Sequence, residues 1–269
     1  MVPKQQGKQW MMRVPVAGRV VLVMVLSCWS AADAAQRFVD LTYTFDETTQ
    51  VWPANPPLHR DLTQQGGTPT EKWYAIGQVA LSVHAGTHMD APVHFAQGQA
   101  GIDGIPVDRL IGPAVVIDVR FAVKEDRDYR ASLSDIHRWE SAHRTIPAGA
   151  IVMLLTGWGV YWTDRERYFG SATPDVPTTL HFPGFSQEVA EFLVAERHIS
   201  GIGIDTASID YGPSRDFVVH RIVNGAGLYG LENVARLDEV PASGATVMAL
   251  PMKIAGGTGA PVRIIAILP

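Results

Sequence analysis

The chain has 269 residues, is 46% hydrophobic and 18% charged, and carries a formal net charge of −5. This balance describes an ordinary globular protein with length enough for a substantial core. The mild acidity and the lack of a Lys/Arg stripe exclude nucleic acid as the expected partner, and no block of like charge suggests a binding tail.

In chain order the first element is a leader. Lys4, Lys8, Arg13 and Arg19 precede the apolar run Val20-Val21-Leu22-Val23-Met24-Val25-Leu26, and small residues follow as far as Ala32-Asp33-Ala34-Ala35. A basic region, an apolar core and an Ala-x-Ala pattern predict a signal peptide over residues 1–34 and a periplasmic or secreted mature domain over 35–269. The apolar run is too short to span a bilayer comfortably, so no stable membrane insertion is expected after its removal. Cys28, the only cysteine, lies inside this leader and leaves the mature chain without disulfide or thiol nucleophile. Val25-Leu26-Ser27-Cys28 matches a lipoprotein site only loosely, which favours simple cleavage over lipid anchoring.

Six apolar, β-branched runs predict strands at residues 78–83, 114–119, 150–156, 201–205, 246–250 and 262–268. Val115-Val116-Ile117 and Ile151-Val152-Met153-Leu154-Leu155 do not alternate with polar residues, as expected of strands buried on both faces. One helix begins at Ser186, with Glu188 in its first turn and Val189, Phe192 and Leu193 on one face. A second covers 134–143, and a third covers 214–224, ended by Gly225. Strands mixed with few helices give an α/β (α+β) single domain. Residues 157–184 are rich in aromatics and turn formers without a period, which fits either a binding lid or an aromatic-pinned surface excursion.

The densest chemistry lies in 84–95. His84, His88, Asp90 and His94 fall within eleven residues of a chain with nine histidines. Imidazole and carboxylate together are the ligand set for Zn²⁺, Mn²⁺ or Fe²⁺. All four positions are even-numbered, so an extended backbone would project them to one side. Gly86 and Pro92 argue against a helical zinc motif. Downstream, Asp205 ends a predicted buried strand, where functional groups of α/β proteins collect. His220 by itself reads as a packed or capping histidine, and Glu232 by itself signals little. Ser208 and Asp210 lack a G-x-S-x-G elbow, which rejects serine catalysis. The glycines at 256–259 lack the Lys-Ser/Thr of a phosphate loop and read as a turn.

The stretch His84-Ala85-Gly86-Thr87-His88-Met89-Asp90-Ala91-Pro92-Val93-His94-Phe95 resembles the HxGTHxDxPxHF signature of the metal-dependent cyclase family, which includes bacterial kynurenine formamidase and isatin hydrolase. The resemblance extends over nearly all the mature chain, through Val51-Trp52-Pro53, Gly201-Ile202-Gly203-Ile204-Asp205-Thr206, His220 with Glu232, and the glycine-rich end. It implies a barrel-like mixed sheet flanked by a few helices, commonly as a homodimer. It also implies one or two divalent ions, Mn²⁺ or Zn²⁺, held by His84, His88, Asp90, His220 and Glu232, with Asp90 bridging. His94 matches the family's proton carrier and Trp52 a substrate-contacting aromatic; Trp158 and Trp162 are further candidates to sandwich a planar substrate. Gly86 would let the backbone approach the ions, and Thr87 would orient a ligand through its hydroxyl. The implied activity is hydrolysis of a small aromatic amide by metal-activated water, a cyclic amide as in isatin hydrolase or an N-formyl aryl amine as in arylformamidase. The rival from another class is a non-catalytic extracytoplasmic metal- or ligand-binding protein. A complete ligand set beside a proton carrier argues against it.

Overall fold

Consecutive apolar residues set the middle of the sheet, because a strand without polar alternation needs cover on both faces. The computed structural model describes residues 1–3, 36–65 and 72–269. All but three residues of the expected leader lie outside the described residues. Gln36–Pro269 forms one compact unit. Its strands are β1 Phe38–Asp40, β2 His59–Gln65, β3 Tyr74–Ala80, β4 His88–Asp90, β5 Ile111–Asp118, β6 Arg130–Ala131, β7 Ile151–Leu155, β8 Gly184–Phe185, β9 Gly201–Ile204, β10 Tyr229–Glu232, β11 Thr246–Pro251 and β12 Gly259–Ile267. The helices are α1 Arg120–Glu125, α2 Leu133–His143, α3 Arg165–Phe169, α4 Gln187–Arg197 and α5 Val218–Gly225.

Seven strands close into a ring in the order β4, β12, β11, β5, β7, β9, β10 and back to β4, with β1 prolonging the free edge of β12 beyond β4. The pairs β5–β7, β7–β9 and β9–β10 are parallel; β4 runs antiparallel to both of its neighbours. The expected barrel-like mixed sheet with a few flanking helices is therefore the observed fold. Alternation around the ring sorts side chains into two cores. Met89, Ala114, Val116, Ile151, Met153, Leu231, Val247, Ala260 and Val262 share the first with their counterparts. Val115, Ile117, Val152, Leu154, Ile202 and Ile204 face the other way and pack with residues of α2, α4 and α5 and the aromatics of 158–185.

Predicted elements and observed ones differ where polar function or turn chemistry intervenes. Ser186 caps α4 as expected, its hydroxyl accepting the Val189 N–H at 3.3 Å. The start of α2 lies earlier than the sequence suggests, because Ser132 and Asp135 form a capping box. The third helix starts at Val218 rather than Ser214, since residues 211–217 form a turn ending in left-handed Phe217. The run at 78–83 is not a barrel strand. Its first residues end β3, whose seven residues are all exposed and which pairs with β2 as a hairpin. Residues 157–184 match the aromatic-pinned reading: Trp158, Trp162, Tyr168 and Phe169 are buried, and Trp162 stacks on Tyr43 at 3.9 Å. Among the described residues no helix is long and apolar enough to cross a membrane.

Candidate metal centre and active site

Strand β4 decides which way the site faces. Met89 enters the core, so His88 and Asp90 on either side of it point to the opposite face. Antiparallel pairing sets Glu232 of β10 directly opposite His88, which brings the two side chains to the same face. Asp90 lies between two glycines, Gly230 on β10 and Gly259 on β12. Gly259 has to be a glycine, because a Cβ there would lie 2.7 Å from both His84 Cε1 and the Met89 carbonyl. The glycine-rich end is more than a turn: it leaves the space that the His84 ring fills.

The histidines converge, but not along one extended strand. Gly86 adopts φ +59° in the turn before β4, and residues 92–94 form a single 3-10 turn after it. His84 and His94 reach the face from these two bends, and their rings stack at 4.0 Å. Gly86 is needed for a close approach to Phe45, whose ring a Cβ would meet at 2.8 Å. Thr87 orients no ligand directly. Its hydroxyl donates to the Asn233 carbonyl at 2.7 Å and accepts the Tyr43 N–H at 3.0 Å, tying β4 to its neighbours.

Five predicted ligands share one buried cluster. Asp90 Oδ1 lies 2.7 Å from His84 Nδ1 and 3.3 Å from His88 Nε2, and Oδ2 lies 3.1 Å from His220 Nε2. Glu232 faces His88 Nε2 at 3.4 Å and His220 Nε2 at 3.2 Å. His88 Nδ1 bonds to the Gly86 carbonyl at 2.9 Å, and its buried Nε2 makes no hydrogen bond. An orphaned imidazole nitrogen aimed at two carboxylates is what a metal ligand looks like before its ion is added. The groups His84, His88, Asp90 and Asp90, His94, His220 each hold ligand atoms within 4.8 Å of one another. The donor set, imidazole nitrogen and carboxylate oxygen, fits a divalent ion.

The electrostatics agree. Burial alone would lower the His88 pKa, but the facing Asp90 and Glu232 carboxylates outweigh it and raise it to about 9. His220 is likewise held well above its ordinary value: burial opposes protonation, and Asp210, Asp90 and Glu232 overcome it. Burial pushes Asp90 up, but hydrogen bonds from His220 and His84 and the facing His88 imidazole pull it well below the carboxylate range. In the metal-free protein, protons supply the positive charge that the carboxylates need. His94 behaves differently. Burial, with the charges of His84, His220 and His88, lowers it to about 4 against the pull of Asp90. Among the described residues its ring makes no hydrogen bond, so a neutral imidazole is free towards the cavity.

That cavity has a volume of about 330 Å³ and opens over His84, His88, His94, His220 and Glu232. Trp52 lines it, together with Phe95, Phe169 and Phe217. Trp158 does not. Its ring N–H donates to the Tyr168 carbonyl at 2.7 Å, and the indole packs into the core. Trp162 is spent on its stack with Tyr43. Asp205 lies apart from the metal cluster: it binds Thr156 and Gly157 N–H groups at 3.0 and 2.8 Å and anchors the entry to 157–184. Three residues that the sequence did not single out as ligand supports hold the centre in place. Asp210 accepts the His220 Nδ1–H at 2.7 Å, Thr258 Oγ1 bonds His84 Nε2 at 3.0 Å, and Asn233 donates to the Gly86 carbonyl at 2.6 Å.

The chain is similar to known proteins along most of its length. The family model named Cyclase matches residues 39–211. The chain belongs to the cyclase family. It is 34% identical to an isatin hydrolase of Roseibium aggregatum, over 73% of this chain and 76% of that protein. It is 31% identical to a kynurenine formamidase of Salinibacter ruber, over 84% of this chain and 95% of that one. Isatin hydrolase A from Labrenzia aggregata, solved with benzyl benzoate, superposes with TM-score 0.79 at 32% identity, covering 88% of this chain and 96% of that one. An isatin hydrolase bound to the product analogue thioisatinate gives TM-score 0.78 at 29% identity, covering 87% and 93%. This cyclase-family member is a metal-dependent hydrolase acting on carbon–nitrogen bonds.

Proposed function

We propose that this hydrolase opens a small, planar, uncharged cyclic amide of the isatin type. The observation that carries the choice is the lining of the cavity: Val51, Trp52, Phe95, Phe169, Ala207 and Phe217 form apolar walls beside the neutral Gln50, Asn55, Ser208 and Asn233, and among the described residues no Lys or Arg lines it. N-formylkynurenine brings an α-carboxylate, for which this lining offers no cationic partner. A neutral aromatic ring buries well there.

His84, His88 and Asp90 would hold one ion, and Asp90 with His220 and Glu232 a second, with Mn²⁺ and Zn²⁺ both suited to the donors. A bound ion would polarise the amide carbonyl and lower the pKa of water from about 15.7 towards about 7. The chain supplies the rest. Trp52 and Phe217 would orient the ring plane. His94, neutral at physiological pH, takes a proton from the attacking water and returns it to the departing ring nitrogen as the carbon–nitrogen bond breaks. The leader pattern supports export to the periplasm, and the resemblance supports a homodimer.

The test is metal-loaded protein against isatin and N-formylkynurenine in parallel. Faster turnover of isatin supports the reading; faster turnover of N-formylkynurenine makes the protein an arylformamidase. Hydrolysis of neither would overturn the reading.

A further inference from the structure

Outside the ligand set, one buried acid touches two working parts of the site. Asp210 is 1% exposed and lies between β9 and α5. Its Oδ2 accepts the Nδ1–H of His220 at 2.7 Å and the backbone N–H of the same residue at 3.1 Å. Its Oδ1 accepts the Val219 N–H at 3.1 Å and faces the Ser214 hydroxyl at 3.3 Å. That hydroxyl also lies 3.4 Å from Asp216 Oδ1, and its oxygen accepts the Phe217 N–H at 3.2 Å. Phe217 is bent into the left-handed region, φ +50° and ψ +47°, which crowds a bulky side chain. The bend turns its ring towards Trp52 at 6.0 Å and Phe95 at 5.4 Å, in the wall of the cavity.

We infer that Asp210 is a positioning residue that fixes the metal ligand His220 and the substrate wall at Phe217 through one carboxylate. The inference rests on the hydrolase reading above. The Oδ2 that faces Nδ1 accepts its hydrogen, so Nε2 is the nitrogen that gives up its proton to an ion lying towards Asp90 and Glu232. The same group satisfies the first N–H groups of α5, and through Ser214 it holds the bend that precedes them. Sequence spacing hides this, since the contacts span four to ten residues across a turn.

Asp210→Asn keeps shape but adds an NH₂ that must meet either a helix N–H or His220 Nδ1. The expected result is a 10- to 100-fold loss of Zn²⁺ affinity by chelator competition, with a several-fold rise in KM for isatin. Ser214→Ala, which leaves His220 untouched, should raise KM several-fold and keep Zn²⁺ affinity within threefold. Wild-type Zn²⁺ affinity in Asp210→Asn, or loss of affinity in Ser214→Ala, would overturn the assignment. Should Asp210→Asn not fold, nitrogen-detected NMR of the Zn²⁺-loaded wild type decides: a hydrogen on His220 Nδ1 upholds it and one on Nε2 overturns it. If the wild type binds Zn²⁺ but hydrolyses neither amide, the hydrolase reading falls, while the affinities still test Asp210.

Discussion

Asp205 sits in the wrong medium for a charge, and the consequence is measurable. It is 3% exposed, and burial raises its pKa from 3.8 to about 6 even though Thr156 and Gly157 donate hydrogen bonds to it. A raised carboxyl pKa means that the folded state binds the proton more tightly than the unfolded chain. Stability from this group is therefore present at low pH and lost as pH rises through the window from 3.8 to about 6. The full loss is about 3 kcal/mol, at 1.36 kcal/mol per pKa unit. Between pH 4.5 and 7.5 about 2 kcal/mol of it should be visible. Asp205→Asn carries no such charge, but its NH₂ opposes the Gly157 N–H, at a pH-independent cost of about 1–3 kcal/mol. Thermal melts of both metal-free proteins at the two pH values isolate the effect, because other titrating groups cancel in the difference. Relative to the variant, the wild type should lose roughly 4–8 °C on going from pH 4.5 to 7.5. A gap between the two proteins that stays constant over this range would refute the argument.

Two further outcomes follow from the site and one from the leader. Gly259→Ala sets a Cβ against a backbone carbonyl that cannot yield and a His84 ring that can, so it should cost about 1–3 kcal/mol and weaken metal binding; melting and ion titration read the two separately. Because His88 holds its proton up to about pH 9, Mn²⁺ must displace it, and affinity should rise steadily from pH 6 to 9 with proton release detectable by calorimetry in two buffers. For the leader, N-terminal sequencing of protein from an exporting host should begin at Ala35, and an intact Met1 would contradict export.

Some of this architecture was legible before any coordinates. The strands β5 and β7 announce themselves by unbroken apolar runs, because both their faces are covered. The strands that carry the centre were harder to see: β4 is three residues long with two functional polar side chains, and β10 ends in Glu232. Periodicity has little to work on in such short elements. The cluster of His84, His88, Asp90 and His94 was visible as composition, yet two bends rather than one extended strand bring it together. Trp158 shows the converse limit. An aromatic in an irregular segment looks the same in sequence whether it lines a cavity or pins a loop, and here it pins the loop. The role of Asp210 depends on a turn that folds it back onto His220, which no residue spacing encodes.

The most direct test compares isatin ring opening by wild type and His94→Ala at matched metal content. The account predicts that His94→Ala retains its ion and loses about 10²- to 10⁴-fold in turnover, the range for a displaced proton-transfer group. Undiminished turnover in the variant would contradict His94 as the proton carrier, and loss of the ion would make it a ligand.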